Sequence, residues 1–256
     1  MRVNHFLTEG IVLRSRPFGE SDKIVSFLTA DYGKITGIAK GAKRSRKRFA
    51  NSLEPFSLVA LRFQEHPYHT LALILTADVV LNFSRFASSL EMISYASYLV
   101  EITEGLVGER EANVAVFNHL KEGLGHLNEH GATLRFLTKY ELKLLALVGY
   151  QPVLDGCQRC RKCCPDDSAE RWHFSWKNGG IICASCAAIV KGNVSLGVKA
   201  AQVLANLQKE RNLTIPELSL PAPVVREIRS VIEGLVQFHV QKEIKSAAFL
   251  CRFGAI

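Results

Sequence analysis

Over residues 9–78 the apolar residues come in short β-branched runs, each closed by turn residues. EGIVLRS (9–15) ends at RPFGESD, and KIVSFLT (23–29) ends at ADYG. KITGIAKG (34–41) is the third run, and SLVALRF (57–63) and HTLALILT (69–76) are the fourth and fifth, separated by QEHPY. Pro and Gly at these breaks fix or free φ where the chain must reverse, so the pattern predicts five strands. Gly37, inside the third run, marks a bulge or a close backbone approach. Five short strands with one long connection, between the third and fourth, predict a small barrel of the OB type. A sandwich would call for about seven strands.

From about Leu81 the apolar period changes from two to 3.6. Met92, Tyr95, Ala96, Leu99 and Ile102 share a stripe within a predicted helix at 89–107. Further helices are predicted at 110–127 and 132–149. In the latter Phe136, Tyr140, Leu144 and Leu147 form one face, and Gly149 stands where a helix C-cap belongs. After a cysteine-rich interruption, helices resume at 195–210, with Ser195 as N-cap, and at 223–250, with Pro223 in the first turn. The predicted fold class is α+β: an N-terminal five-stranded OB-type β-barrel at 1–80, then an α-helical domain at 81–256. That domain carries an inserted zinc-ribbon-like module of four cysteines at about 150–194.

Six of the seven cysteines fall between 157 and 186, as CQRCRKCC and CASC. Two C-x-x-C pairs separated by 22 residues match a four-thiolate zinc site, because each knuckle aims two sulfurs at one metal. The expected ligands are Cys157, Cys160, Cys183 and Cys186, holding one structural Zn2+. Cys160 and Cys163 also make a C-x-x-C, so Cys163 and the adjacent Cys164 are alternate ligands. His173 is the weaker candidate, lying between Trp172 and Phe174. Four protein sulfurs leave no open position for a water, which points to structure rather than catalysis.

Charge changes the picture for the barrel. Residues 40–49, KGAKRSRKRF, carry six cations and no carboxylate, and residues 1–80 hold 12 basic against 7 acidic residues. Residues 81–150 hold 6 basic against 8 acidic ones, which makes them a poor nucleic-acid face. A basic run is often a solvated face, a localisation signal or a polybasic membrane patch. A membrane role would want an amphipathic helix beside it, and the neighbours here read as strands. On the surface of an OB barrel, cations beside aromatic rings track a nucleic-acid backbone and stack bases. The expected DNA-binding residues are Lys40, Lys43, Arg44, Arg46, Lys47, Arg48 and Phe49, with Phe56 and Tyr32 as further aromatic faces.

Catalytic motifs fail. GESD at 19–22 has Lys23 where a nucleophile elbow needs its second Gly, Gly33-Lys34 is not part of a phosphate-binding loop, and Cys251 has no evident base. No run approaches the ~18 apolar residues of a membrane span. With 48% hydrophobic and 22% charged residues and a net charge of +8, the composition is globular and favours an acidic partner; with the cysteine pattern it predicts a cytosolic protein, and the failed motifs predict that it is not an enzyme. Two rivals are kept: a zinc-dependent nucleic-acid-processing enzyme, and a protein–protein adaptor whose basic loop is incidental.

Three stretches together resemble one family. TEGIVLRSRPFGESDKIVSFLTADYGK with AKGAKRSRKRF and NSLEPFSLVAL, then GYQPVLDGCQRC with GGIICASC, then HVQKEIKSAAFL, are similar in order to the bacterial recombination mediator family RecO. The resemblance implies an OB domain, a helical domain and a zinc module, with the zinc ligands on Cys157, Cys160, Cys183 and Cys186 and the barrel's basic loop on Lys40 through Arg48. It implies a DNA repair role in homologous recombination: binding single- and double-stranded DNA, annealing complementary strands, and loading recombinase onto DNA coated by single-strand DNA-binding protein. Implied partners are RecR, the C-terminal tail of the coating protein, and RecF. The implied location is the bacterial cytoplasm, at the nucleoid. One departure is Arg161, where the family commonly places Gly after the second cysteine.

Overall fold

The computed structural model describes residues 5–45, 47–65, 68, 70–83, 85–86, 89–163, 171–210 and 220–250. They form two compact units, residues 1–131 and 132–256. The change from strands to helices near residue 80 lies inside the first of these.

Unit 1 is built on five strands: β1 (His5–Phe18), β2 (Asp22–Thr29), β3 (Gly33–Ala39), β4 (Leu58–Gln64) and β5 (Ala72–Leu81). They close into a barrel in the order β1-β2-β3-β5-β4, the strand order of an OB fold. Closure depends on a short parallel bridge, Gly37↔Ala72 and Ile38↔Leu73. Gly37 is required there. A Cβ would run into the Ile74 side chain and the Ala72 carbonyl, which is the close approach that glycine inside a strand signals. Along β3, Gly33, Ile35, Gly37 and Ala39 are buried and the residues between them only partly, so alternate side chains face the core and the outside. Val12, Val25, Phe27, Ile35, Val59, Leu61, Phe63 and Ile74 fill the interior.

Two helices complete the unit. α1 (Leu90–Leu106) starts at Ser89, whose hydroxyl accepts the Met92 N–H, and α2 (Val114–His130) starts at Asn113, whose side-chain oxygen accepts the Val116 N–H. Short polar side chains at these positions satisfy N–H groups the helix cannot satisfy itself. α2 begins four residues later than its apolar pattern suggests. Arg14 Nε meets Glu104 at 2.6 Å, and Lys121 Nζ meets Glu9 at 2.9 Å, joining helix to strand within the unit.

Unit 2 begins with α3 (Leu134–Leu147), capped by the Thr133 hydroxyl on the Phe136 N–H. Gly149 follows its end with φ +86°, the left-handed stop expected of glycine there. The cysteine region folds as a three-stranded sheet, β7-β6-β8, made of β6 (Trp172–Ser175), β7 (Gly180–Ile182) and β8 (Asn193–Leu196), with α4 (Ala184–Ala187) between the last two.

Two expectations are corrected here. Ser195 is not a helix cap: it sits in β8 opposite His173, and α5 (Val198–Lys209) starts after Gly197. Gly197 has no capping side chain, and its own N–H donates to the Glu227 carboxylate at 2.8 Å. Glu227 belongs to α6 (Ala222–Val240), which stops well short of residue 250. Gln241 turns left-handed at φ 56°, and after a break α7 covers only Ala247–Leu250. No Gly or Pro marks that stop, so the pattern read as one long helix.

α3, α5, α6 and the small sheet share a core containing Tyr140, Trp172, Phe174, Leu204 and Leu235.

Candidate nucleic-acid interface and metal centre

The basic loop is a built structure. Gly41, at φ +70°, lets the chain turn sharply out of β3. Its N–H donates to Asp22 Oδ1 at 2.8 Å, and the Lys43 N–H donates to the Ser21 carbonyl at 2.9 Å. At the far end the Arg48 carbonyl accepts the Ala77 N–H of β5 at 3.1 Å. Asp22 also accepts the Ser21 hydroxyl at 2.8 Å. The Gly41 N–H, then that hydroxyl, then the Lys40 and Lys43 charges hold its carboxyl below the ordinary value, outweighing desolvation.

The cations are not equivalent. Lys40, Lys43, Arg44, Lys47 and Arg48 are all exposed, and Arg46 lies outside the described residues. Lys43 Nζ donates to the Gly19 carbonyl at 2.7 Å, and Arg48 Nη2 donates to the Lys40 carbonyl at 2.8 Å. Those two shape the loop as well as charging it. Lys40, Arg44 and Lys47 have no ion-pair partner among the described residues, so their charges face solvent.

Phe49 is a correction. It is only 4% exposed and packs with Ala42 and Leu53 into the barrel core, so its ring is not an open stacking surface. An apolar ring at the end of a highly charged run is the loop's anchor, because the hydrophobic effect draws it inward while the cations stay wet. The Arg48 guanidinium lies 5.1 Å from its centroid. Tyr32 is also committed to packing, edge-on to Phe6 at 5.2 Å and Phe63 at 5.5 Å. Half-buried Phe56 stands edge-on to Phe86 at 5.6 Å. Among the described residues an aromatic ring that does face solvent is Phe18, 50% exposed at the end of β1. Its place in RPFGESD reads as turn sequence, and only an aromatic residue directly before a turn glycine hints at it.

In unit 2 the sulfurs of Cys157, Cys160, Cys183 and Cys186 lie within 4.8 Å of one another. The first knuckle turns on Cys157, whose carbonyl accepts the Arg161 N–H at 2.9 Å. Arg161 takes φ 64°, the left-handed conformation that explains why glycine suits the position. Cys183 directly follows β7 as the N-cap of α4, and its carbonyl accepts the Ala187 N–H at 2.9 Å, which turns Cys186 back on the first pair. The Gln158 N–H donates to the Ile181 carbonyl at 2.9 Å and locks the two knuckles together.

Burial opposes ionisation of Cys157, but N–H donors from Cys160, Cys183 and Arg159 outweigh it and bring its pKa down to about 6. Burial and the neighbouring sulfurs push Cys186 up to about 12. Four thiolates this close repel one another, and a bound cation removes the conflict. The donor set therefore fits a metal ion. Cys163 is exposed and outside the cluster, His173 is half-buried and also outside it, and Cys164 and Cys251 lie outside the described residues.

A closed barrel of OB order bearing a solvent-facing basic loop, with a helical unit built around a four-sulfur cluster, defines an OB-fold protein with a metal-knuckle module. The chain matches the family model described as "Recombination protein O N terminal" over residues 1–83 and "Recombination protein O C terminal" over residues 87–248. It is 33% identical over 246 residues to the DNA repair protein RecO of Caldanaerobacter subterraneus subsp. tengcongensis, covering 94% of this chain and 96% of that one. It is 32% identical over 248 residues to DNA repair protein RecO of an Anaeromyxobacter species (strain Fw109-5), covering 96% of both chains. The protein of the same name from Syntrophus aciditrophicus is 32% identical over 248 residues, covering 95% of this chain and 94% of that one. The chain belongs to the RecO family of DNA repair and recombination proteins. Among the described residues no helix is long and apolar enough to cross a membrane.

Proposed function

We propose that the protein is a non-enzymatic recombination mediator of the bacterial cytoplasm. It binds single- and double-stranded DNA through the loop at 40–48, anneals complementary strands, and acts with RecR to load recombinase onto DNA coated by single-strand DNA-binding protein. The observation that carries the DNA part is the placement of Lys40, Arg44 and Lys47: solvent-facing cations on an OB barrel, on a loop tied at both ends. Phosphate contacts of this kind position a strand without reading its sequence, which suits a mediator that must act anywhere. Residues 1–80 are the DNA-contacting part. Residues 81–256 take the protein partners: RecR, the tail of the coating protein, and RecF.

Zinc is the metal, held by Cys157, Cys160, Cys183 and Cys186. A tetrahedral set of four thiolates suits Zn2+ and contributes folding free energy. A full sulfur shell disfavours the reading as a zinc-dependent nucleic-acid enzyme, since catalysis needs an open coordination position. The testing experiment is a salt-titrated binding and annealing assay on complementary strands, bare and precoated with single-strand DNA-binding protein. Annealing without ATP supports the proposal. ATP hydrolysis or strand cleavage that persists through purification overturns it, and no DNA binding at low salt leaves the adaptor reading.

A further inference from the structure

We propose that a recess on the outer face of the barrel receives one unstacked base of a single strand. The proposal deepens the reading of the loop at 40–48 as a phosphate path and rests on it. The recess has a volume of about 460 Å³, with apolar walls from Phe18, Ile38, Leu71 and Leu73 and with Lys40, Gln64 and Thr70 as its polar groups. Ile38 and Leu73 face each other across the parallel bridge that closes the barrel, and Gln64 is paired with Leu73 on the other side. The burial alternation along β3 points Ile38 outward, away from the core that Ile35 and Ala39 enter. Phe18 closes the recess from the end of β1, next to the β1–β2 connection, and Leu71 from the β4–β5 connection. Those two connections flank the face on which OB barrels take oligonucleotides.

The recess and the loop share parts. Phe18 pairs in register with Asp22, the residue that anchors Gly41, and Lys40 is both the first cation of the loop and a wall of the recess. Any ligand seated here therefore has its neighbouring atoms beside Lys40. A nucleotide matches all three kinds of group: a flat π-face for Phe18, a hydrogen-bonding edge for the Gln64 amide, and an adjoining phosphate for Lys40. An apolar peptide side chain would use the walls and leave the cations without a counter-charge. A duplex keeps its bases stacked and cannot fill the recess, so the device favours single strands.

The test uses the full chain and three fluorescent probes of equal length: a thymidine oligonucleotide, a strand of abasic sugars, and a duplex. Phe18→Ala is expected to weaken thymidine binding about tenfold, to the level of the abasic strand, on the scale of one lost base stack. Abasic and duplex binding should stay as in the wild type, and Phe18→Trp should keep thymidine binding. The recess is overturned if Phe18→Ala binds thymidine strands like wild type, or weakens all three probes equally. An Arg44→Ala/Lys47→Ala variant separates the two readings. If it keeps the wild-type salt slope while the Phe18 effect persists, the phosphate path falls and the recess stands; if the slope flattens while Phe18→Ala is silent, the recess falls and the path stands.

Discussion

Asp22 accepts the Gly41 backbone N–H at 2.8 Å, so a carboxylate holds the root of the most basic loop in the chain. Electrostatics alone would disfavour an acid there, since it repels the phosphates that the loop attracts. The two effects make opposite predictions. Asp22→Ala frees Gly41, and single-strand affinity should fall despite the added positive charge. Asp22→Asn keeps an acceptor oxygen while removing the charge, and affinity should hold or rise. Fluorescence anisotropy on the pair decides it; tighter binding by the alanine variant would mean the anchor is irrelevant. Because the folded carboxyl sits below its ordinary value of 3.8, its stabilisation is present above that value and is lost as pH falls through the depressed pKa. Affinity changes between about pH 5 and 9 therefore come from other groups.

The solvent-facing cations set the salt dependence. If Lys40, Arg44 and Lys47 each neutralise one phosphate, replacing all three with Ala should flatten the log–log salt slope on single strands by about 2. The loss should be equal across sequences, because phosphate contacts do not read bases. Unchanged affinity and slope would mark the loop as a solvated face.

How much of this was legible in the sequence follows from how local each signal is. The five strands, their turns and the special role of Gly37 are short-range patterns, and the chain shows them directly. The paired knuckles are equally local, and the cluster contains the four cysteines expected as ligands, although spacing alone left Cys163 as an equal partner for Cys160. What escaped was decided by tertiary contact. Phe49 follows six cations and reads as exposed, yet the barrel interior wins its ring from solvent. Ser195 has the chemistry of an N-cap, but its backbone is taken by β6, and Glu227 from another helix serves the N–H of Gly197 instead. The end of α6 at Val240 carries no breaker residue at all. The strands β6, β7 and β8 are too short to give a period.

The four-sulfur cluster predicts one tightly held zinc per chain. Cys186→Ser should abolish stoichiometric metal and destabilise the helical unit, since metal binding is folding free energy in such modules. DNA binding by the barrel loop should suffer only indirectly. The sign with pH follows from Cys157: with its folded pKa depressed from 9.0 to about 6, the thiolate's contribution is complete above 9.0 and is lost as pH falls through about 6. Cys186, pushed up to about 12, must also give its proton to the metal, so binding releases protons and acidification should release the metal. A chromophoric chelator follows the release, and metal analysis below half an equivalent at neutral pH would sink the assignment.

Arg229 and Glu141 form a buried two-pronged ion pair in unit 2, at 2.6 and 3.2 Å, with the Glu141 side chain fully buried. Removing Glu141 takes the two-pronged partner from a buried guanidinium, although Arg229 Nε keeps the Glu233 carboxylate at 3.1 Å. Glu141→Ala should cost about 3–5 kcal/mol in denaturant unfolding. The double change Glu141→Leu/Arg229→Met should recover most of that loss, because apolar groups of similar volume avoid the desolvation penalty. Equal destabilisation by the single and double variants would show that packing, rather than charge, dominates the site.

Phe49 separates two roles that one aromatic residue can play beside a basic loop. As a base-stacking platform it would need its π-face, and Phe49→Leu would weaken DNA binding much as alanine does. As a core anchor it needs volume and apolar surface, which leucine largely supplies at a cost of under about 1.5 kcal/mol. Alanine would leave a cavity and cost about 3–5 kcal/mol. The burial of the ring favours the second role. Phe49→Leu should keep wild-type affinity and salt slope, while Phe49→Ala should lower the melting temperature and loosen the loop. Arg48, whose guanidinium lies over the ring and whose Nη2 donates to the Lys40 carbonyl, would lose its support with it. A leucine variant that is as stable as this but binds single strands weakly would return Phe49 to the DNA interface.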